Sequence, residues 1–180
     1  HTIKEQAYNR KLLQAVLANN IRLVDYEVMT DEQGRRLIAF GKFAGMVGAH
    51  NALWTWGKRS GDFQLPRMKD CFDYEMAKTY YHLIQWPAIK IVVTGSGRVG
   101  MGAVEVLNDM GILQVSPDEF LESDFEEAVF TQLVSRHYVE RRDGRPFHAR
   151  EFYAHPEAYQ SSFAPYTSTT DIFINGIFWD

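Results

Sequence analysis

The chain has 180 residues, 46% of them hydrophobic and 23% charged, and its 19 Lys+Arg against 23 Asp+Glu leave a net charge of −4. With a mean hydropathy of −0.29 and a pI near 5.9, this composition fits a soluble globular chain. It excludes wholesale disorder, offers no general attraction to nucleic acid, and holds no apolar run near the roughly 20 residues that span a bilayer. The single cysteine, Cys71, cannot form an internal disulfide, which points to a reducing cytoplasm.

In chain order, the apolar pairs Ile3/Ala7, Leu12/Val16 and Leu13/Leu17 predict a helix over 3–19 that stops at Asn19-Asn20. Residues 21–27 alternate as a short strand, Asp31–Gly34 is a turn, and Arg35–Phe40 returns as a second strand. A helix from about Phe43 to Lys58 is rich in small residues, Ala44, Gly45, Gly48, Ala49 and Ala52, which suits close packing at a domain junction. Residues 60–70 read as loop and 72–84 as helix. The β-branched run 89–94 then enters Gly95-Ser-Gly97-Arg-Val-Gly100, after which Val99, Ala103, Val106, Leu107 and Met110 share one helical face. Gly111 ends that helix and 112–116 is a strand. Two weaker helical patterns follow, at 124–136 and 150–161, around a polar loop with Arg141, Arg142 and Arg145 that reads as solvated. A buried strand near 171–176 closes the pattern. The chain opens at His1 without an initiator Met and closes near a strand, so the intact protein is expected to continue on both sides.

Strand, GSGRVG, helix is the strongest signal. A bare GxGxxG is weak, but here it stands between a β-branched strand and an amphipathic helix, the context a dinucleotide fingerprint requires. Gly95 permits the tight turn, Gly97 lets backbone approach a pyrophosphate, and Gly100 lets helix and strand close. The helix N-terminus attracts phosphate, and Arg98 within the loop can add a contact. About 20 residues on, where an NAD site presents an acid, stands Ser116. Asp118 and Glu119 follow it, but Ser116-Pro117-Asp118-Glu119 also spells a helix start with Ser at the N-cap and Glu at N3. That spacing favours the capping role for Glu119, and the missing acid leans the cofactor toward NADP rather than NAD. The six histidines, 1, 50, 82, 137, 148 and 155, are scattered without metal-ligand spacing, so no metal is expected.

Several further segments carry a resemblance. His1-Thr-Ile-Lys4-Glu-Gln6, Ile21–Glu27, Gly34-Arg-Arg36, Ala39-Phe-Gly41, Gly45–Gly48, Ser135-Arg-His137, His155–Tyr159, Ala164–Thr167 and Ile174–Trp179 resemble the saccharopine dehydrogenase (lysine-forming) family. The likeness is greatest to the lysine–ketoglutarate reductase half of bifunctional aminoadipic semialdehyde synthases, with broader kinship to alanine dehydrogenase and transhydrogenase folds. It implies that His1 is a proton-transfer group, that Lys4 and Gln6 face substrate, that Glu27 adjusts the charge of the site, and that Arg36 holds substrate carboxylates. It places Gly97, Arg98 and Val99 on the cofactor loop and Asn175-Gly176-Ile177 on the strand exit near the nicotinamide. The family's catalytic lysine lies upstream of His1, so the chain by itself is expected to be inactive.

The expected fold is α/β: a Rossmann-type parallel sheet with helices on both faces over 41–180, incomplete at its C-terminus, and a partial α/β substrate domain over 1–40. Sheet strands are expected near 89–94, 112–116 and 171–176. The resemblance implies an NAD(P)-dependent oxidoreductase on CH–NH bonds that condenses lysine with 2-oxoglutarate reductively, or reverses that reaction. Its partner is a small amino-acid or keto-acid substrate, with neither nucleic acid nor membrane. The alternatives are an alanine dehydrogenase-like enzyme and a nucleotide-binding regulatory module without catalysis.

Overall fold

The computed structural model describes residues 6–177. By their internal contacts they fall into two units, 1–39 and 40–180, taken in turn.

The first unit has little core of its own among its described residues. A 3-10 turn, Ala7–Asn9, leads into α1, Arg10–Ala18, whose one buried residue is Val16. A helix was expected there, beginning earlier. The expected strand over 21–27 does not form: the stretch runs into a 3-10 turn at Tyr26–Val28, started by Asp25, whose carboxylate accepts from the Glu27 N–H at 3.0 Å. The return strand over 35–40 is reduced to a single antiparallel bridge between Thr30 and Arg36. Alternation creates two faces, but a strand persists only when a neighbour takes its backbone N–H and C=O groups. Leu23, Val24, Leu37 and Ile38 are exposed.

The second unit is built around β1, Lys90–Thr94. Before it come α2, Gly41–Ser60, and α3, Tyr74–Tyr81. After it come α4, Arg98–Asp109; β2, Leu113–Gln114; α5, Pro117–Glu122; and β3, Val129–Leu133. A helix was expected over 124–136, and the structure has a strand instead. The sheet order is β2-β3-β1 and then β6, Ile172–Asn175, with all pairings parallel. Thus β3, not β2, lies beside β1. Between β3 and β6 the chain forms α6, Ser135–Tyr138; β4, Val139–Arg141; α7, Ala149–Ala154; β5, Tyr159–Ser161; and α8, Ala164–Thr167. β4 and β5 pair antiparallel as a separate ribbon, so the expected helix over 150–161 ends early and gives way to a strand.

Strand alternation divides the core. Ile91, Val93, Phe130, Ile172 and Ile174 face α2, α3 and α4, where Leu53, Ala77, Ala103 and Leu107 are buried with them. Val92, Val129 and Leu133 face the other way, onto Phe120 of α5 and Tyr166 of α8. This is a Rossmann-type α/β sheet covered on both faces. The small residues of α2 let it lie backbone to backbone on α4. A Cβ on Gly45 would run into the Val99 carbonyl and one on Gly102 into that of Lys42. His50, on α2, is fully buried yet satisfied: Nδ1 lies 2.8 Å from the Tyr81 hydroxyl and Nε2 2.7 Å from the Pro66 carbonyl. The carbonyl can only accept, so Nε2 carries the proton and Nδ1 accepts from Tyr81. Burial holds its pKa below the ordinary histidine value.

Arg141 also departs from expectation. It is buried rather than solvated, pairing with both Asp143 oxygens at 2.8–2.9 Å and with Glu151, and lying over the Tyr159 ring. Hydrogen bonds from Arg141 and Arg145 hold the Asp143 carboxyl well below the usual carboxylate range. Among the described residues no helix is long and apolar enough to cross a membrane, and no cluster of His, Cys, Asp and Glu could hold a metal.

Candidate functional site

The glycine turn leaves the C-terminal end of β1 and is clamped from both sides. Gly95 N–H donates to the Leu133 carbonyl at 2.8 Å, and Gln132 Nε2 donates to the Gly95 carbonyl at 2.8 Å. On the other flank, Gly176 N–H donates to the Thr94 carbonyl at 3.0 Å, while Thr94 Oγ1 donates to Asn175 Oδ1 at 2.9 Å. Ile177 N–H also donates to Asn175 Oδ1, at 3.2 Å. The ends of β3, β1 and β6 therefore meet around this turn, where an open α/β sheet binds ligands.

Each glycine has a separate reason to be one. Gly95 has φ +93°, and a Cβ there would meet the Gly176 carbonyl oxygen at 2.8 Å. A Cβ on Gly100 would run into the Gly95 carbonyl, so this residue closes helix onto strand. Gly97 is different: its φ is −79°, and a Cβ on it would find nothing within 4 Å. Only the space outside the turn demands its bareness, which is what a phosphate approaching the backbone would need. Gly97 is also the N-cap of α4 and supplies no side-chain acceptor. The first N–H groups of α4, at Arg98, Val99 and Gly100, have no partner within the helix by its geometry and point outward with the positive end of its dipole. These features fit a dinucleotide pyrophosphate.

Two clefts adjoin the turn. One, of about 720 Å³, runs along the outer face of α4 past Ser96, Gly97 and Arg98 to Asn108, with the Lys42–Glu105 ion pair of 2.7 Å on its wall. The other, of about 390 Å³, lies beyond Thr94 and Ile177 and is walled by Tyr138, Phe152, Tyr159, Phe163 and Phe173. Its aromatic lining suits a flat, weakly polar ring. Apart from Phe173 of β6, these residues come from the ribbon and short helices after β3, where only motif resemblance had pointed to function in the sequence.

Ser116 is not at the ribose-reading place. It caps α5, its hydroxyl accepting from the Glu119 N–H at 3.2 Å, and it follows β2, which β3 separates from β1. The strand next to β1 ends at Leu133, so in a dinucleotide-binding sheet the position that reads the ribose would correspond to Val134-Ser135-Arg136. Spacing from the glycine turn pointed to the next strand in sequence, whereas the site is set by the next strand in space.

The substrate-side residues belong to the first unit. Gln6 precedes the first 3-10 turn and accepts from the Tyr8 hydroxyl at 2.7 Å. Glu27 lies within the turn at 26–28, and Arg36 is exposed at the Thr30 bridge. Its neighbour Arg35, not Arg36, is held by Asp31 at 2.8 Å. His1 and Lys4 lie outside the described residues.

Known proteins align with the whole of this arrangement. The chain is 34% identical over 208 aligned positions to the alpha-aminoadipic semialdehyde synthase, mitochondrial, of Mus musculus, covering 100% of the chain and 22% of that protein. The Arabidopsis thaliana alpha-aminoadipic semialdehyde synthase is 28% identical, again over the whole chain and 20% of the relative. The saccharopine dehydrogenase [NAD(+), L-lysine-forming] of Candida glabrata is 31% identical over 62% of the chain and 33% of its own length. No family profile matches. The chain spans about a fifth of the length of the synthases it matches.

Proposed function

We propose that the chain belongs to the saccharopine dehydrogenase (lysine-forming) and lysine–ketoglutarate reductase family and serves an NAD(P)-dependent oxidoreductase acting on CH–NH bonds. The observation that carries this is similarity over 100% of the chain to enzymes of that group, the glycine turn included. The reaction is the reductive condensation of the lysine ε-amine with the keto group of 2-oxoglutarate, or its reverse.

A bound nicotinamide dinucleotide supplies or accepts the hydride. The residues of this chain bind, orient and move protons. The backbone of Gly95–Gly100 seats the pyrophosphate, and Arg98 adds a cation at its edge. Asn175, Gly176 and Ile177 form the wall toward the nicotinamide end. Arg36, with a planar fork of donors, and Lys4 hold the substrate carboxylates. His1 passes protons to and from the carbinolamine oxygen and the amine nitrogen, a task for a group that titrates near neutrality. Glu27 balances the charge of these cations, and Gln6 orients substrate beside them. The reading includes a reducing compartment, in keeping with the lone Cys71.

On cofactor choice, the place beside β3 carries Val134-Ser135-Arg136 and no carboxylate. That supports use of NADP at least as well as NAD, although the names of the fungal relatives specify NAD(+). The deciding experiment is a screen of the protein at its native length. Lysine, other amino acids and ammonia are each paired with 2-oxoglutarate or pyruvate, and oxidation of NADH and of NADPH is followed by the loss of reduced-nicotinamide absorption. Oxidation dependent on lysine and 2-oxoglutarate is expected; turnover only with ammonia and pyruvate would replace this reading with an alanine dehydrogenase.

A further inference from the structure

The end of β3 contains an arrangement of donors with no acceptor between them. His137 Nδ1 lies 3.1 Å from the backbone N–H of Val134, which donates to it. Its other nitrogen, Nε2, lies 3.1 Å from Nε of Arg136. Both contacts cannot be hydrogen bonds. A neutral imidazole carries its proton on one nitrogen and accepts on the other, and a protonated one accepts on neither. The Val134 amide is fixed at the strand end, and burying it unpaired would cost more than leaving an exposed guanidinium to water. Nδ1 therefore accepts, Nε2 carries hydrogen, and Arg136 faces a second donor rather than a partner. An anion accepting from both would resolve the conflict.

The position of this pair identifies the anion. β3 is the strand beside β1, and its last residues, Gln132 and Leu133, are hydrogen-bonded to Gly95 of the glycine turn. Arg136 and His137 follow within one short turn, where the adenosine ribose of a dinucleotide seated on that glycine turn would come. Arg136 is exposed, and nothing acidic occupies 134–137. The carboxylate that acts on His137 electrostatically is Asp118 of α5. We infer that Arg136 and His137 together bind the 2′-phosphate of NADP(H), making this turn, and not Ser116, the determinant of cofactor choice.

This inference rests on the dinucleotide reading above, and binding measurements separate the two. Dissociation constants of NADH and NADPH, and displacement by 2′,5′-ADP against 5′-AMP, are measured for wild type, Arg136→Ala and His137→Asn. Arg136 is exposed, so its removal should not touch folding. In His137→Asn the side-chain oxygen can take over the bond from the Val134 amide while the outward N–H is lost. Arg136→Ala should weaken NADPH and 2′,5′-ADP by about 10- to 100-fold, as expected for a lost charge-assisted pair, and leave NADH and 5′-AMP within about twofold. His137→Asn should weaken the same two ligands by roughly 3- to 10-fold. Equal effects on both cofactors, no effect on either, or strong wild-type preference for NADH that Asp118→Asn relieves would overturn the assignment. Wild-type protein that binds neither cofactor would overturn the dinucleotide reading itself.

Discussion

Adding one methyl group to α2 should have opposite effects at two glycines three residues apart. Gly48 is exposed and a Cβ on it would meet nothing within 4 Å, whereas a Cβ on Gly45 would strike the Val99 carbonyl oxygen and stand 2.8 Å from its carbon and 2.9 Å from Ala103 N. Both positions are helical, so Gly→Ala gains about 0.8–1 kcal/mol of helix propensity at each. At Gly48 nothing opposes this, and the variant should be more stable by about that amount. At Gly45 carbon pairs need about 3.5 Å or more, so α2 must withdraw from α4 by at least about 0.7 Å, a gap that forfeits a quarter to a half of each dispersion contact across the crossing. Met46, Ala49, Leu53, Ala103 and Leu107, all buried in that core, would loosen together. An overpacking cost of about 1–3 kcal/mol then exceeds the propensity gain. Because the propensity gain is common to both, the two variants should differ by the overpacking cost itself, roughly 1–3 kcal/mol in urea unfolding with unchanged slope, read by fluorescence of Trp54 and Trp56 on the same helix. If Gly45→Ala is as stable as Gly48→Ala, the close backbone crossing of α2 and α4 is refuted.

Gly97→Val should fold as wild type, since a Cβ there meets nothing, yet lose dinucleotide binding by calorimetric titration; unchanged affinity would remove GSGRVG from the site. Thr131 is fully buried in β3 and its hydroxyl has no partner among the described residues, so Thr131→Val should be neutral or stabilising by up to about 1 kcal/mol in the same unfolding assay. His50 has a folded pKa below its ordinary 6.5, so its unfolded form binds the proton first: its contribution is fully present above pH 6.5 and is lost as pH falls toward the folded value. Urea midpoints should decline below about pH 6.5, and less so in His50→Gln. For the protein at its native length, Arg36→Lys keeps the charge but loses the planar fork, so steady-state kinetics should show a raised KM for the keto acid with kcat little changed.

What could be read in the sequence follows from how many partners each segment needs. The run 89–94 with GSGRVG and the face at Val99, Ala103, Val106 and Leu107 declared β1, the turn and α4, because local periodicity and glycine placement suffice there. β3 stayed hidden. Buried on both faces, Val129–Leu133 shows no alternation, and Phe125, Val129 and Leu133 fall at helical spacing by coincidence. That miss pointed to Ser116, after β2, rather than to 134–136, after the strand that lies beside β1, since strand order is a property of the sheet and not of the chain. The alternation at 21–27 and 35–40 was genuine, but alternation specifies faces, and ladder partners come from elsewhere. Arg141 looked solvated because, beyond its near neighbour Asp143, the groups that bury it, Glu151 and Tyr159, reach it only in the fold, Tyr159 where β4 meets β5.

Gln132 and Leu133 hold the glycine turn by one backbone carbonyl and one side-chain amide, both upstream of the exposed tip at Arg136. On the proposed function, the part that would grip what all nicotinamide dinucleotides share is thus anchored separately from the part that would tell them apart. On that same reading, exchanging the tip would switch the chain between the two pools of reducing equivalents while leaving the grip untouched.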